Sequence, residues 1–185
     1  MLDVASRAAA SAVASDGLTI STADDGHAAG LRSLIVDALA HEGQSWSNKP
    51  PIQAEAEISV DEVRALIAAP RSRLLVAIED QAVVGCVLVT RLPGERCALG
   101  LLGVDPSRRR RGLGARLIAA AEFAAENSFG SEQIELCVLA ERAKLAAYYA
   151  RHGFAPTGEH RTVPLADATM EFLVMAKPLT ATVAA

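Results

Sequence analysis

Four consecutive arginines, Arg108 to Arg111, stand directly before Gly112-Leu113-Gly114, the densest stretch of chemistry-bearing residues in this 185-residue chain. The run falls where an apolar, strand-like segment ending Val104-Asp105-Pro106 gives way to an Ala/Leu-rich, helix-like one. Glycines at such a junction let the backbone approach a ligand and present several N–H groups at a helix N-terminus, which is a ready anion site. Arginines beside it add charge-assisted hydrogen bonds to phosphate oxygens. Other phosphate loops fit less well. A P-loop requires a Lys after its second glycine, and none stands here; a dinucleotide fingerprint requires a third glycine where this chain has Leu117. The competing readings are a solvated basic loop and a nucleic-acid patch, the latter disfavoured because no aromatics interleave the arginines.

Composition narrows the field further. Lys and Arg total 18 against 22 Asp and Glu, a formal charge of −4, which argues against a dedicated nucleic-acid binder. Of the basic residues 15 are Arg and three are Lys, so planar recognition of phosphate or carboxylate is favoured wherever the arginines cluster. The 51% hydrophobic content includes 37 Ala, and aromatics are only 4%, so Leu, Val and Ile must build the core. No apolar stretch is long enough to span a membrane. Cys86, Cys97 and Cys137 each stand in an apolar run without metal-ligand or paired spacing, which reads as buried free thiols in a reducing, cytoplasmic setting. His27, His41 and His160 are scattered, so no metal site is expected.

The elements that must hold the arginine–glycine turn follow from periodicity and punctuation. Residues 1–17 are Ala/Ser-rich with little to bury and read as a disordered tail; residues 18–180 read as one domain. Leu18–Thr22 is a short strand. Asp24-Asp25 offers an N-cap for a helix carrying Leu31, Leu34, Ile35, Ala38 and Leu39 on one face. Pro50-Pro51 forbids helix within a loop over Glu42–Pro51, and a second helix over Val60–Ala69 is capped by Ser59 with Glu62 completing a capping box. Arg73–Glu79, Val83–Leu92 and Cys97–Val104 are apolar runs separated by short turns, the signature of an antiparallel meander. A long helix then reaches about Asn127, followed by a strand over Ile134–Leu139, a helix over Glu141–Arg151, and a closing hairpin over Ala155–Arg161 and Met170–Lys177. The strand–helix–strand unit from Cys97 to Leu139 implies one parallel pair inside an otherwise antiparallel sheet. The expected class is a mixed α/β (α+β) sheet flanked by helices.

Arg109-Arg110-Arg111-Gly112-Leu113-Gly114 matches the [Q/R]-x-x-G-x-[G/A] signature of the GCN5-related N-acetyltransferases, preceded as in that family by a strand ending Val-x-Pro. Tyr149-Ala150-Arg151-His152-Gly153-Phe154 resembles the family's Y-x-x-x-G-[F/Y] helix end, and the element order agrees from Leu18 to Lys177. The resemblance implies a splayed parallel strand pair, Cys97–Val104 with Ile134–Leu139, between which the pantetheine of acetyl-CoA lies like an inserted strand. It implies that the main chain of Leu102, Gly103 and Val104 holds the pantetheine and thioester. The pyrophosphate would rest on the N–H groups of Arg110, Arg111, Gly112, Leu113, Gly114 and Ala115, with Arg109 and Arg111 as side-chain contacts. Many relatives carry an Asn seven residues before the Tyr; here Arg142 stands there and is the expected cofactor contact in its place.

The implied reaction is transfer of acetyl from acetyl-CoA to a primary amine of a small molecule or peptide by direct attack in a ternary complex. Tyr149 is the expected catalytic acid, because a phenol with a pKa of about 10 can give its proton to a departing thiolate at neutral pH. Tyr148, one residue away, reads as a packing aromatic. No acid stands in Ala98-Leu99-Gly100-Leu101, where many relatives carry a Glu, so the base stays open among Glu79, Glu135, Glu141, His152 and water. The acceptor pocket is implied to come from about Glu42–Ile52, with Trp46, and from Thr162–Thr169. Nothing in these residues selects the amine, and a homodimer stays open. Two other classes remain: a non-catalytic acyl-CoA sensor, and a protein using the turn for a different nucleotide.

Overall fold

The computed structural model describes residues 17–41, 58–108, 111–164 and 169–179. All of the expected tail over residues 1–17 except Gly17, the loop with Trp46, and Arg109 and Arg110 lie outside the described residues. Among the described residues one seven-stranded sheet runs in the order β1-β2-β3-β4-β5-β7-β6. Its strands are β1 (Leu18–Thr22), β2 (Ser72–Glu79), β3 (Ala82–Arg91), β4 (Arg96–Val104), β5 (Gln133–Leu139), β6 (Ala155–Pro164) and β7 (Thr169–Pro178). The helices are α1 (Ala28–His41), α2 (Val60–Ala68), α3 (Leu113–Phe129) and α4 (Ala143–Ala150). Every neighbouring pair is antiparallel except β4–β5, which is parallel with α3 as its crossover. The mixed sheet expected from the sequence is the one observed.

Local chemistry explains where these elements begin and end. Ser59 caps α2 by accepting from Glu62 N–H at 3.2 Å, while Glu62 Oε2 accepts from Ser59 N–H at 2.7 Å, the reciprocal capping box that satisfies two orphan donors. That exposed carboxyl is accordingly held below its ordinary pKa by the Ser59 main-chain N–H first and the Ser59 hydroxyl second. At α1 the expected cap acts one step earlier. Asp24 accepts from Gly26 N–H at 2.9 Å and starts a single 3-10 turn, Asp25–His27, from which α1 continues. The β2–β3 hairpin turns on Asp80 and Gln81, both with positive φ (50° and 65°), the twist a two-residue hairpin loop requires. α3 outruns its expected end by two residues and stops at Gly130, whose left-handed backbone lets its N–H reach Ala125 O and Glu126 O.

Two apolar layers sandwich the sheet. On one face α3 and α4 pack Leu117, Ile118, Ala121 and Tyr149 against Val87, Leu99, Ile134, Leu136 and Val138. On the other, α1 and α2 bring Leu31, Ile35 and Val63 onto Leu74, Val76, Cys86 and Leu101. Cys86, Cys97 and Cys137 are buried free thiols, and burial pushes the Cys86 thiol up to about 12. Among the described residues no helix is long and apolar enough to cross a membrane, and no group of His, Cys, Asp and Glu is arranged to hold a metal.

Candidate active site at the splayed strand pair

β4 is nine residues long, yet its parallel ladder with β5 has three registered pairs: Arg96 with Gln133, Cys97 with Ile134 and Ala98 with Glu135. Beyond them the two strands part. The cause is visible on the other edge of β4. Its register with β3 shifts between Cys86 and Leu88, so that Leu101 and Leu102 together oppose Val87. Leu101 takes φ 47°, a left-handed conformation rare for a branched residue, and this bulge turns the end of β4 away from β5. The Cys86 thiol donates to Leu101 O at 3.4 Å and pins the bulge. Parted strands expose main-chain edges that a ligand with its own amides can pair.

Beyond Val104 the backbone turns through a 3-10 turn, Pro106–Arg108, and reaches Gly112. Asp105 holds this passage by accepting from Ser107 N–H at 2.8 Å, and Arg108 is ion-paired with Glu79 at the end of β2. Gly112 is the N-cap of α3 in the left-handed region (φ 75°), and no side chain caps the helix there. Gly112 is exposed, and none of the described residues comes within 4 Å of where its Cβ would stand. The first turn of α3 therefore carries main-chain N–H groups that no N-cap side chain satisfies, with exposed Arg111 next to it.

α4 delivers the two tyrosines in different directions. Tyr149 is 1% exposed and sits in the core cluster that both parted strands share, its ring edge-on to Phe154 with centroids 5.8 Å apart. Tyr148 is half-buried, and a Cβ added at Gly114 would stand 2.6 Å from its hydroxyl oxygen. Its phenol thus lies on the first turn of α3, beside the anion-ready N–H groups. Burial raises the Tyr148 pKa, with Arg151 over the ring opposing, so the phenol stays protonated at neutral pH. Sequence reasoning treated Tyr148 as packing; only its spacing from Tyr149 hinted that it faces elsewhere.

The contact makes a prediction. Gly114→Ala should force the Tyr148 phenol aside, whereas in a Tyr148→Ala background the same change should be tolerated. A double-mutant cycle read by denaturant unfolding should give a coupling of about 0.5–3 kcal/mol. Strict additivity would show that the phenol does not rest on Gly114.

The open question of the base is narrowed by partners. Glu135, 3% exposed at the last paired position before the strands part, has both carboxylate oxygens engaged: Oε2 with Arg96 at 3.1 Å and Oε1 with Arg161 at 2.8 Å. It clamps β4, β5 and β6 together, and the ion pair raises the Arg161 pKa in turn. Glu79 is taken by Arg108. His152 stacks edge-on against Tyr148, 4.7 Å between centroids, and Glu141 is exposed. Arg142 forms the N-cap of α4 through its backbone, its carbonyl accepting from Leu145 and Ala146 N–H at 3.0 Å. A cavity of about 1030 Å³ lies on the α1 side of the Asp105–Ser107 passage, and no residue of β5 lines it.

None of the curated proteins searched matches the chain. Solved structures do. The ribosomal-protein-S18-alanine N-acetyltransferase of Escherichia coli superposes with TM-score 0.67 at 19% identity, over 88% of this chain and 94% of that one. The yncA protein of Salmonella typhimurium, solved with its cofactor acetyl-CoA, gives 0.69 at 18% identity over 88% and 94%. The PaiA N-acetyltransferase of Thermoplasma acidophilum, in complex with coenzyme A, gives 0.67 at 14% over 87% and 98%. At these identities the likeness speaks for the fold. The family model for the Acetyltransferase (GNAT) family matches residues 40–154, more than half of the chain, including the parted strands, Gly112 and both tyrosines of α4. The protein belongs to the GNAT acetyltransferase family.

Proposed function

We propose that the protein is an acetyl-CoA-dependent N-acetyltransferase that acts on a primary amine. The observation that carries this is the β4–β5 ladder ending after three pairs, with the uncapped N-terminus of α3 standing past the open end of β4. A strand-like pantetheine arm fits the parted edges, and a pyrophosphate fits the N–H groups at Gly112, where a Cβ would meet none of the described residues. Leu102, Gly103 and Val104 would hold the arm by their main chain. Arg111, with Arg109 and Arg110, would add side-chain contacts to phosphate, and Arg142 would reach the arm from the start of α4.

Acetyl-CoA supplies an activated acyl carbon. The chain's task is to orient it and to manage two protons. The amine nitrogen attacks the carbonyl carbon, the new C–N bond replaces the C–S bond, and the sulfur leaves as thiolate. Tyr149, on α4 in the cluster shared by both parted strands, holds the proton for that thiolate. The amine's proton goes to water, because Glu79 and Glu135 are already ion-paired. Glu135→Gln should accordingly keep turnover within a few-fold. It should still destabilise the fold by about 1–3 kcal/mol, a modest value because both arginines are half in solvent. A thiol-release assay and thermal unfolding on one preparation check both halves, and a 100-fold loss of turnover without unfolding would make Glu135 the base.

The proposal itself is tested by screening acetyl-CoA against amines, amino acids and peptide N-termini for thiol release. Acetylated product with one acceptor class establishes it. Tight CoA binding with no turnover across the panel would leave an acyl-CoA-binding protein instead.

A further inference from the structure

Arg71, Arg73 and Arg91 converge on a cavity of about 440 Å³ between the start of β2, the end of β3 and the C-terminal end of α3. Arg64, Arg96, Arg108 and Arg161 each stand against a carboxylate. These three do not: no carboxylate among the described residues pairs with any of them.

Two of the side chains are held in place. Arg71 Nη2 donates to Arg91 O at 3.3 Å, and Arg73 Nη1 donates to Ser72 O at 2.9 Å with its guanidinium 5.4 Å from the Phe129 ring centroid. The C-terminal end of α3 favours cations through its dipole, but it makes no hydrogen bond to these three. The Ala125 and Glu126 carbonyls of α3 accept from Gly130 and Ser131 N–H, and none of the three guanidiniums donates to α3. Three like charges gathered in a concavity repel one another, and a bound anion would relieve that repulsion beyond what the α3 end and solvent do.

The geometry points to a second anion site here, for a small compound bearing two or more phosphate or carboxylate groups. The cavity has the size of a ligand pocket, and its guanidiniums offer the flat, forked donors that such groups accept. It is separate from the Gly112 turn: the 17 residues of α3 put roughly 25 Å between the two ends.

The test is calorimetry with inorganic tripolyphosphate and, separately, citrate, on the full chain holding saturating CoA so that the turn is occupied. One saturable site is expected. Its Kd should rise roughly 10-fold or more in Arg71→Ser/Arg91→Ser, and measurably in Arg91→Gln alone, as charge-assisted hydrogen bonds are lost. Both positions are exposed, so the variants should melt like wild type and bind CoA normally. Binding of tripolyphosphate alone makes the ligand a phosphate compound, and binding of citrate alone makes it a carboxylate. No saturable binding of either, or an affinity untouched by the double substitution, overturns the site. Failure of CoA to bind would instead strike the acetyltransferase reading, and the same titration without CoA would still be decided by the arginine variants.

Discussion

Tyr149→Phe is expected to lower kcat by roughly 10²–10⁴, the scale of a positioned proton donor, while acetyl-CoA affinity hardly changes. The substitution keeps the ring and its edge-on contact with Phe154, so packing in the core cluster survives and only the hydroxyl is removed. Burial makes that control necessary: a side chain 1% exposed loses several kcal/mol of packing if cut back to Ala, about 3–5 by analogy with other large aromatics, and such a variant would report folding rather than chemistry. Tyr148→Phe provides the contrast. Tyr148 packs only against the margin of that cluster and its hydroxyl lies at Gly114 on the first turn of α3, so its loss should change turnover only a few-fold. Steady-state thiol release, with CoA affinity measured independently, separates the two. Wild-type turnover in Tyr149→Phe would mean that water or another group protonates the thiolate.

Gly112→Val should weaken CoA binding by well over 10-fold, roughly 1.4 kcal/mol or more. Gly112 has φ 75°, which a β-branched residue reaches only at a cost of about 1–2 kcal/mol, so the helix N-terminus must shift. The side chain would also project into the space from which a phosphate approaches, since none of the described residues lies within 4 Å of that point. Part of the strain will lower the melting temperature of the free protein, so affinity is read by calorimetry well below it. Unchanged affinity would move the pyrophosphate elsewhere. Arg111→Ala is a milder probe of the same turn and should remove about one charged hydrogen bond, roughly 1.5–3 kcal/mol.

Much of the scaffold was legible because it is written in near neighbours. The Ser59–Glu62 box and the apolar runs of β2 to β4 with the short turns between them each depend on residues a few positions apart, and they stand where composition and capping place them. The arginine–glycine turn was equally visible, since a strand end, a glycine in the left-handed region and a helix start are consecutive in the chain. Other features required the strands to be set beside one another. No local pattern says that the β4–β5 ladder stops at Ala98 and Glu135, because that depends on a bulge formed with β3, a different neighbour. Nor does any local pattern occupy Glu135: its partners Arg96 and Arg161 are 39 and 26 residues away and meet it only when β4 and β6 have taken their places. The same holds for Tyr148. A helix 100° per residue says that it and Tyr149 must diverge, but which of them enters the core and which lies on Gly114 is decided by where α4 docks against α3. Sequence alone determined the elements and the anion-ready turn, through short-range hydrogen bonding and side-chain periodicity. The tertiary structure decided which strand edges open and which acids are already paired, because those depend on contacts between segments far apart in the chain.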